Sequence, residues 1–107
     1  MKIILASASP RRKEILSRLD LPFEIKPSKI SEPDYDRSTS VIDYCQQLSR
    51  IKAESIAINH KGSLIIGADT IVILKKDIVL GKPKDKQDAY NKLLMLSNKT
   101  HTVITAV

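Results

Sequence analysis

Asp69 is the one charged residue in an eleven-residue run, Leu64 to Leu74, that is otherwise apolar apart from Gly67 and Thr70. A β-branched stretch of this kind reads as a strand buried on both faces of a sheet. An ionised carboxylate buried without a partner costs several kcal/mol. Asp69 is therefore expected to meet a cation, bind a metal, or face a cleft where the strand opens, and each case points to a site.

Cations are placed where they could serve such a site. In Ala6-Ser7-Ala8-Ser9-Pro10-Arg11-Arg12, Ser9 suits a helix N-cap and Pro10 the first helical position, so Arg11 and Arg12 fall in the first turn. Two guanidinium groups there oppose the helix dipole unless an anion sits between them. With the Ser hydroxyls and free amide donors they would form a phosphate cradle; two solvated arginines on an ordinary helix start are the plain alternative. On a helical wheel at about 100° per residue, Lys52 falls in the middle of a sector of about 80° holding Val41, Cys45, Leu48 and Ile56. It either snorkels, or meets Asp69 or a bound triphosphate. In Leu80-Gly81-Lys82-Pro83, Gly81 permits a sharp turn and Pro83 stiffens the exit, so Lys82 is either held toward a ligand or part of a plain turn. No Walker-type GxxxxGK[ST] sequence is present. Glu32 lies in a polar loop where acids are usually just solvated, yet with Asp69 it could hold a divalent cation, since Mg²⁺ takes one or two carboxylates plus phosphate oxygens and water. His101 reads as a structural residue at a strand start, and Cys45 as an inert core thiol.

Composition narrows the partners. Eighteen Lys and Arg against twelve Asp and Glu give +6, which favours phosphates, nucleotides, nucleic acid or acidic lipid. Nucleic-acid platforms interleave basic residues with exposed aromatics, whereas this chain has no Trp, one Phe and three scattered Tyr, which disfavours that class. Cys45 is the only cysteine, the first six residues are too short an apolar stretch for a signal peptide, and no apolar segment approaches the roughly 18 residues of a membrane span. The expectation is a cytoplasmic protein with no membrane segment. At 107 residues, 42% apolar, the chain fits one small domain spanning 1–107.

The elements needed to position these groups alternate along the chain. Strands are expected at Lys2–Ala6, Pro22–Lys26, Leu64–Leu74, Ile78–Leu80 and His101–Val107, and helices at Pro10–Leu19, from Ser40 to about Asn59, and at Asp85–Leu96. Ser40-Val-Ile-Asp43 resembles a capping box, Gly62 ends its helix, Lys75 to Asp77 turn the chain, and Pro27–Ser40 is a loop. The class is α/β, a mixed twisted sheet flanked by helices. A terminal apolar strand with an unpaired edge invites self-association.

In order along the whole chain, Ile4 to Arg12, Ile66 to Val72, Leu80 to Pro83, Leu96-Ser97 and His101 to Val107 resemble the Maf family of nucleoside triphosphate pyrophosphatases. The resemblance implies a fold related to the inosine triphosphatases and metal-dependent cleavage of a nucleoside triphosphate to the monophosphate and pyrophosphate. Ser-Pro-Arg-Arg and Ala-Asp-Thr are similar to the branch acting on dTTP and UTP, with modified pyrimidine nucleotides as further candidates. The branch acting on 7-methyl-GTP tends to have Trp after the proline and Asp-Gln in the strand. Carried over residue by residue, the resemblance implies Asp69 as catalytic base and Arg11 and Thr70 as specificity positions. It further implies Ser9, Arg12, Glu32, Lys52 and Lys82 as phosphate- and metal-binding positions, with Mg²⁺ or Mn²⁺ held by Glu32 and Asp69. Such parts suit water attack at the α-phosphorus: a carboxylate to orient and deprotonate water, a metal, and cations for the triphosphate. Family members continue into a C-terminal half, so the chain is expected to correspond to the N-terminal part of a Maf-like domain, truncated relative to the family. A truncated copy surviving as a weak or inactive nucleotide-binding or cell-division-associated module is the alternative.

Overall fold

A computed structural model of the chain describes residues 1–75, 78–81 and 83–107. Six strands and three helices follow in the order β1 (Ile3–Leu5), α1 (Pro10–Ser17), β2 (Glu24–Ile25), α2 (Val41–Ala57), β3 (Leu64–Ile66), β4 (Asp69–Leu74), β5 (Ile78–Leu80), α3 (Lys86–Leu96) and β6 (His101–Ala106). The α/β class is as expected, with parallel and antiparallel strands both present. Among the described residues they form two three-stranded sheets, ordered β2-β1-β3 and β5-β4-β6.

The first sheet is parallel, with Ile4 opposite Glu24 and Ile65. Parallel neighbours need a crossover, and here α1 and α2 supply them. Local chemistry sets the helix starts. Ser9 accepts from Arg12 N with Pro10 at the first helical position, Ser40 accepts from Asp43 N, and Asp85 accepts from Asp88 N. Gly62 (φ +83°) follows the end of α2 in a left-handed conformation that favours glycine.

The second sheet is antiparallel. β4 pairs with β5 on one side and with β6 on the other, in a register that sets Thr70 opposite Thr105; Lys75, directly after β4, has φ 60°, and residues 76 and 77 of the expected turn lie outside the described residues. The core lies between this sheet and α2: Tyr44, Cys45 and Leu48 pack on Ile71 and Ile73. Leu48 is 1% exposed, a burial that contributes about 1.5–3 kcal/mol. No helix among the described residues is long and apolar enough to cross a membrane.

One expectation is corrected. The run Leu64–Leu74 is not a single strand buried on both faces: it divides into β3 and β4, which belong to different sheets. The reason is Gly67. A Cβ there would stand 2.6 Å from Ser49 O and 2.9 Å from Ala53 Cβ, so α2 lies directly against the chain where it changes sheets. The division leaves Asp69 as the first residue of β4, at a seam rather than mid-strand.

Candidate active site

The seam forms a cleft. Beyond the C-terminal ends of β1 and β3, the segment Ala6–Pro10, the start of α1, the loop carrying Ser28, Ile30 and Glu32, Lys52 of α2, and Ala68–Thr70 enclose about 480 Å³. Ligands in open α/β folds bind at this end of parallel strands, where connecting loops and helix N-termini converge.

Lys52 holds the centre. Its Nζ bonds Asp69 Oδ1 and lies 2.7 Å from Glu32 Oε1. The Lys52 and Asp69 side chains are 13% and 8% exposed, while Glu32 at 44% faces the open side. Burial works against the Lys52 charge, but hydrogen bonds and attraction from Asp69 and Glu32 outweigh it and raise the ammonium above its ordinary pKa. Of the two readings open in the sequence, contact with Asp69 rather than snorkelling describes the ligand-free chain.

Arg12 forms the second centre. Nη1 donates to Ala68 O at 3.1 Å and Ser7 Oγ at 3.3 Å, and Nη2 donates to Thr70 Oγ1 at 2.9 Å. Thr70 Oγ1 in turn lies 2.9 Å from Thr105 Oγ1 on β6. Arg12 is therefore not one of two solvated arginines on an ordinary helix start: it reaches across and ties α1 to the β3–β4 seam. Arg11 is exposed on α1 and is not among the residues lining the cleft, whereas Arg12 is. Ser9 lines the cleft as the N-cap of α1. Lys82 lies outside the described residues; its neighbours Gly81 and Pro83 line a separate groove against α3.

Three further side chains border the site, of which Tyr44 was not singled out by its sequence. Ser7 accepts from both Ser9 N and Arg12. Cys45, fully buried, directs Sγ toward Asp69 O at 3.4 Å, and burial pushes its thiol pKa up, consistent with an unreactive core group. Tyr44 donates to Pro33 O at 2.7 Å, next to Glu32. Its position one turn before Leu48 was the one available signal, since it borders the same helical stripe.

Among the described residues no group of three or more His, Cys, Asp and Glu converges as a metal-binding cluster. Glu32 and Asp69 do converge on one point, now held by the Lys52 ammonium.

Known proteins resemble this chain along its whole length. A dTTP/UTP pyrophosphatase of Ruminiclostridium cellulolyticum is 50% identical over 105 residues, covering 98% of this chain and 54% of that protein. Proteins of the same name from Aquifex aeolicus (43% identical, 100% of this chain and 55% of theirs) and Thermosipho africanus (47%, 100% and 53%) match likewise. The chain thus spans about half the length of the curated relatives it matches. A family model described as Maf-like protein matches residues 2–107, nearly the whole sequence, and by that match the chain belongs to the Maf family.

Proposed function

We propose that this chain carries the triphosphate-binding and catalytic groups of a nucleoside triphosphate pyrophosphatase that converts dTTP and UTP to the monophosphate and pyrophosphate. The observation that carries the proposal is the convergence of Asp69, Glu32, Lys52 and Arg12 on one cleft. The names and identities of the relatives support it.

In this reading Asp69 orients a water and takes its proton as the oxygen bonds to the α-phosphorus, and the bond from that phosphorus to the pyrophosphate oxygen breaks. Arg12 and Ser9, with the amides at the start of α1, face the phosphate oxygens, and Lys52 offsets charge that builds on them in the transition state. Lys82 and Arg11 belong to the same proposal as phosphate and specificity positions, and Thr70 offers a hydroxyl beside Arg12 for base recognition.

A divalent cation, Mg²⁺ or Mn²⁺, fits the donor set. Two carboxylates already meet at a single cationic point, and hard cations of this kind complete their shell with phosphate oxygens and water. Glu32 and Asp69 would hold it, and when bound it supplies charge neutralisation at the phosphates. A cytoplasmic location, where such substrates occur, is part of the same proposal.

The test is pyrophosphate release from a panel of nucleoside triphosphates with Mg²⁺ or Mn²⁺. Release from dTTP and UTP ahead of the purine nucleotides is expected. Binding without release, or purine preference, would overturn the assignment.

A further inference from the structure

Glu32 sits within the irregular segment 26–39, and Asp69 opens a strand. A carboxylate on a loop meets one on a sheet reproducibly only if its backbone is held in place. Two side chains of α2 do this. Ser55 directs its own proton to Lys52 O at 2.7 Å, so in its 2.9 Å contact with Ser28 Oγ it is the acceptor and Ser28 the donor. Four residues beyond Ser28 stands Glu32, and immediately after it Tyr44 Oη donates to Pro33 O at 2.7 Å. The loop is clasped on both sides of its carboxylate.

Tyr44 is the tighter clasp. It is 8% exposed, with its ring 5.1 Å from the ring of Tyr35, a residue of the same loop whose hydroxyl donates to Thr39 O. The ring fills the core against Leu48 and Ile71, work a phenylalanine does equally well. The hydroxyl serves the loop. Tyr44 and Lys52 lie just over two turns apart on α2, so one rigid element carries both the ammonium that draws the Glu32 carboxylate in and the donor that sets the Glu32–Pro33 backbone.

We infer that Tyr44 is a positioning residue of the site, whose hydroxyl sets the Glu32–Pro33 backbone so that the Glu32 and Asp69 carboxylates converge on one cation. The inference rests on the proposed reading of those carboxylates as a divalent-cation site and deepens it, for the hydroxyl touches neither substrate nor cation.

The experiment is a Mn²⁺ titration of the whole chain without nucleotide, by electron paramagnetic resonance, on wild type, Tyr44→Phe, Glu32→Gln and the double variant. Tyr44→Phe should raise the Mn²⁺ half-saturation by about five- to tenfold, the worth of one neutral hydrogen bond acting through the loop, while the thermal midpoint without cation barely moves. Adding Tyr44→Phe to Glu32→Gln should weaken Mn²⁺ no further, because the hydroxyl acts through Glu32. Ser28→Ala, which loosens the loop from its other side, should shift half-saturation in the same direction and carries the test if Tyr44→Phe folds poorly. Wild-type Mn²⁺ binding in both loop variants, an undiminished shift in the Glu32→Gln background, or no Mn²⁺ uptake by wild type would overturn the inference. Pyrophosphate release from dTTP in the same samples separates the two claims. Turnover with unshifted Mn²⁺ binding in the variants defeats the role of Tyr44 alone, whereas a shift without any turnover leaves that role standing and defeats the enzymatic reading.

Discussion

Lys52 Nζ lies 2.7 Å from Glu32 Oε1, and the same ammonium bonds Asp69 Oδ1, so one lysine neutralises two carboxylates contributed by a loop and a strand. A side-chain ammonium thereby fills the point on which the two carboxylates converge.

Removing that lysine should be costly. Lys52→Met leaves Asp69, 8% exposed, without its cation, and breaking such a pair from one side destabilises by about 3 kcal/mol. Urea denaturation measures it. Lys52→Met combined with Asp69→Asn should recover part of the loss, and strictly additive losses would show that the two side chains do not depend on each other.

In the proposed reaction, Asp69→Asn preserves shape but removes the group that accepts the proton of the attacking water. Turnover of dTTP should fall about 100-fold or more, with nucleotide affinity changed far less. Steady-state kinetics beside equilibrium binding reads the split, and full turnover in the variant would remove Asp69 from the chemistry.

Arg12→Ala should affect both binding and folding. Its guanidinium donates to Ser7, Ala68 and Thr70, so the substitution loses ties between α1 and the seam as well as the charge proposed to face the phosphates. Triphosphate affinity should fall by about 1.5–3 kcal/mol, and stability without nucleotide should fall as well. Calorimetry and thermal unfolding on one sample measure the two effects.

Stability should decline on the alkaline side. Lys52 is raised above its ordinary value by its two carboxylates, which prevail over burial, and Tyr44 and Cys45 are raised chiefly by burial. In each case the folded chain keeps its proton to higher pH than the unfolded chain does. The contribution is therefore full below the ordinary values of 9.0 for the thiol, 10.0 for the phenol and 10.5 for the ammonium, and is lost as pH rises past them. Thermal midpoints should hold from neutrality to about pH 9 and then drop, and Lys52→Met should flatten the upper part of that decline.

Association of copies is expected from the exposed apolar residues of the antiparallel half. Leu93, Leu94 and Tyr90 of α3 are 67%, 54% and 58% exposed, and Val103 on the edge strand β6 is 55% exposed. Apolar surface beside an open strand edge favours contact with another chain. Sedimentation across a range of concentrations should show a concentration-dependent mass, and a single monomeric species throughout would refute it.

The amino-acid sequence by itself determined what depends on neighbours a few residues away. Ser9-Pro10, Ser40 with Asp43, and Asp85 mark helix starts because a cap and its amide lie within one turn. Lys52 lands on the inner stripe of α2 because helical period alone puts it there, and Asp69 stands out because a lone carboxylate in an apolar run demands a partner. Tertiary structure decided which partner. Lys52 and Asp69 are 17 residues apart in the chain and Arg12 and Thr70 are 58 apart, so their meeting depends on strand order and on where the chain changes sheets. That change happens at Gly67 because α2 approaches too closely for a side chain, a constraint written in the packing of Ser49 and Ala53 rather than in the run itself. Arg11 and Arg12 show the same division. Adjacent in sequence and equal in charge, they part because only Arg12 points from α1 toward the seam, where Ser7, Ala68 and Thr70 offer acceptors.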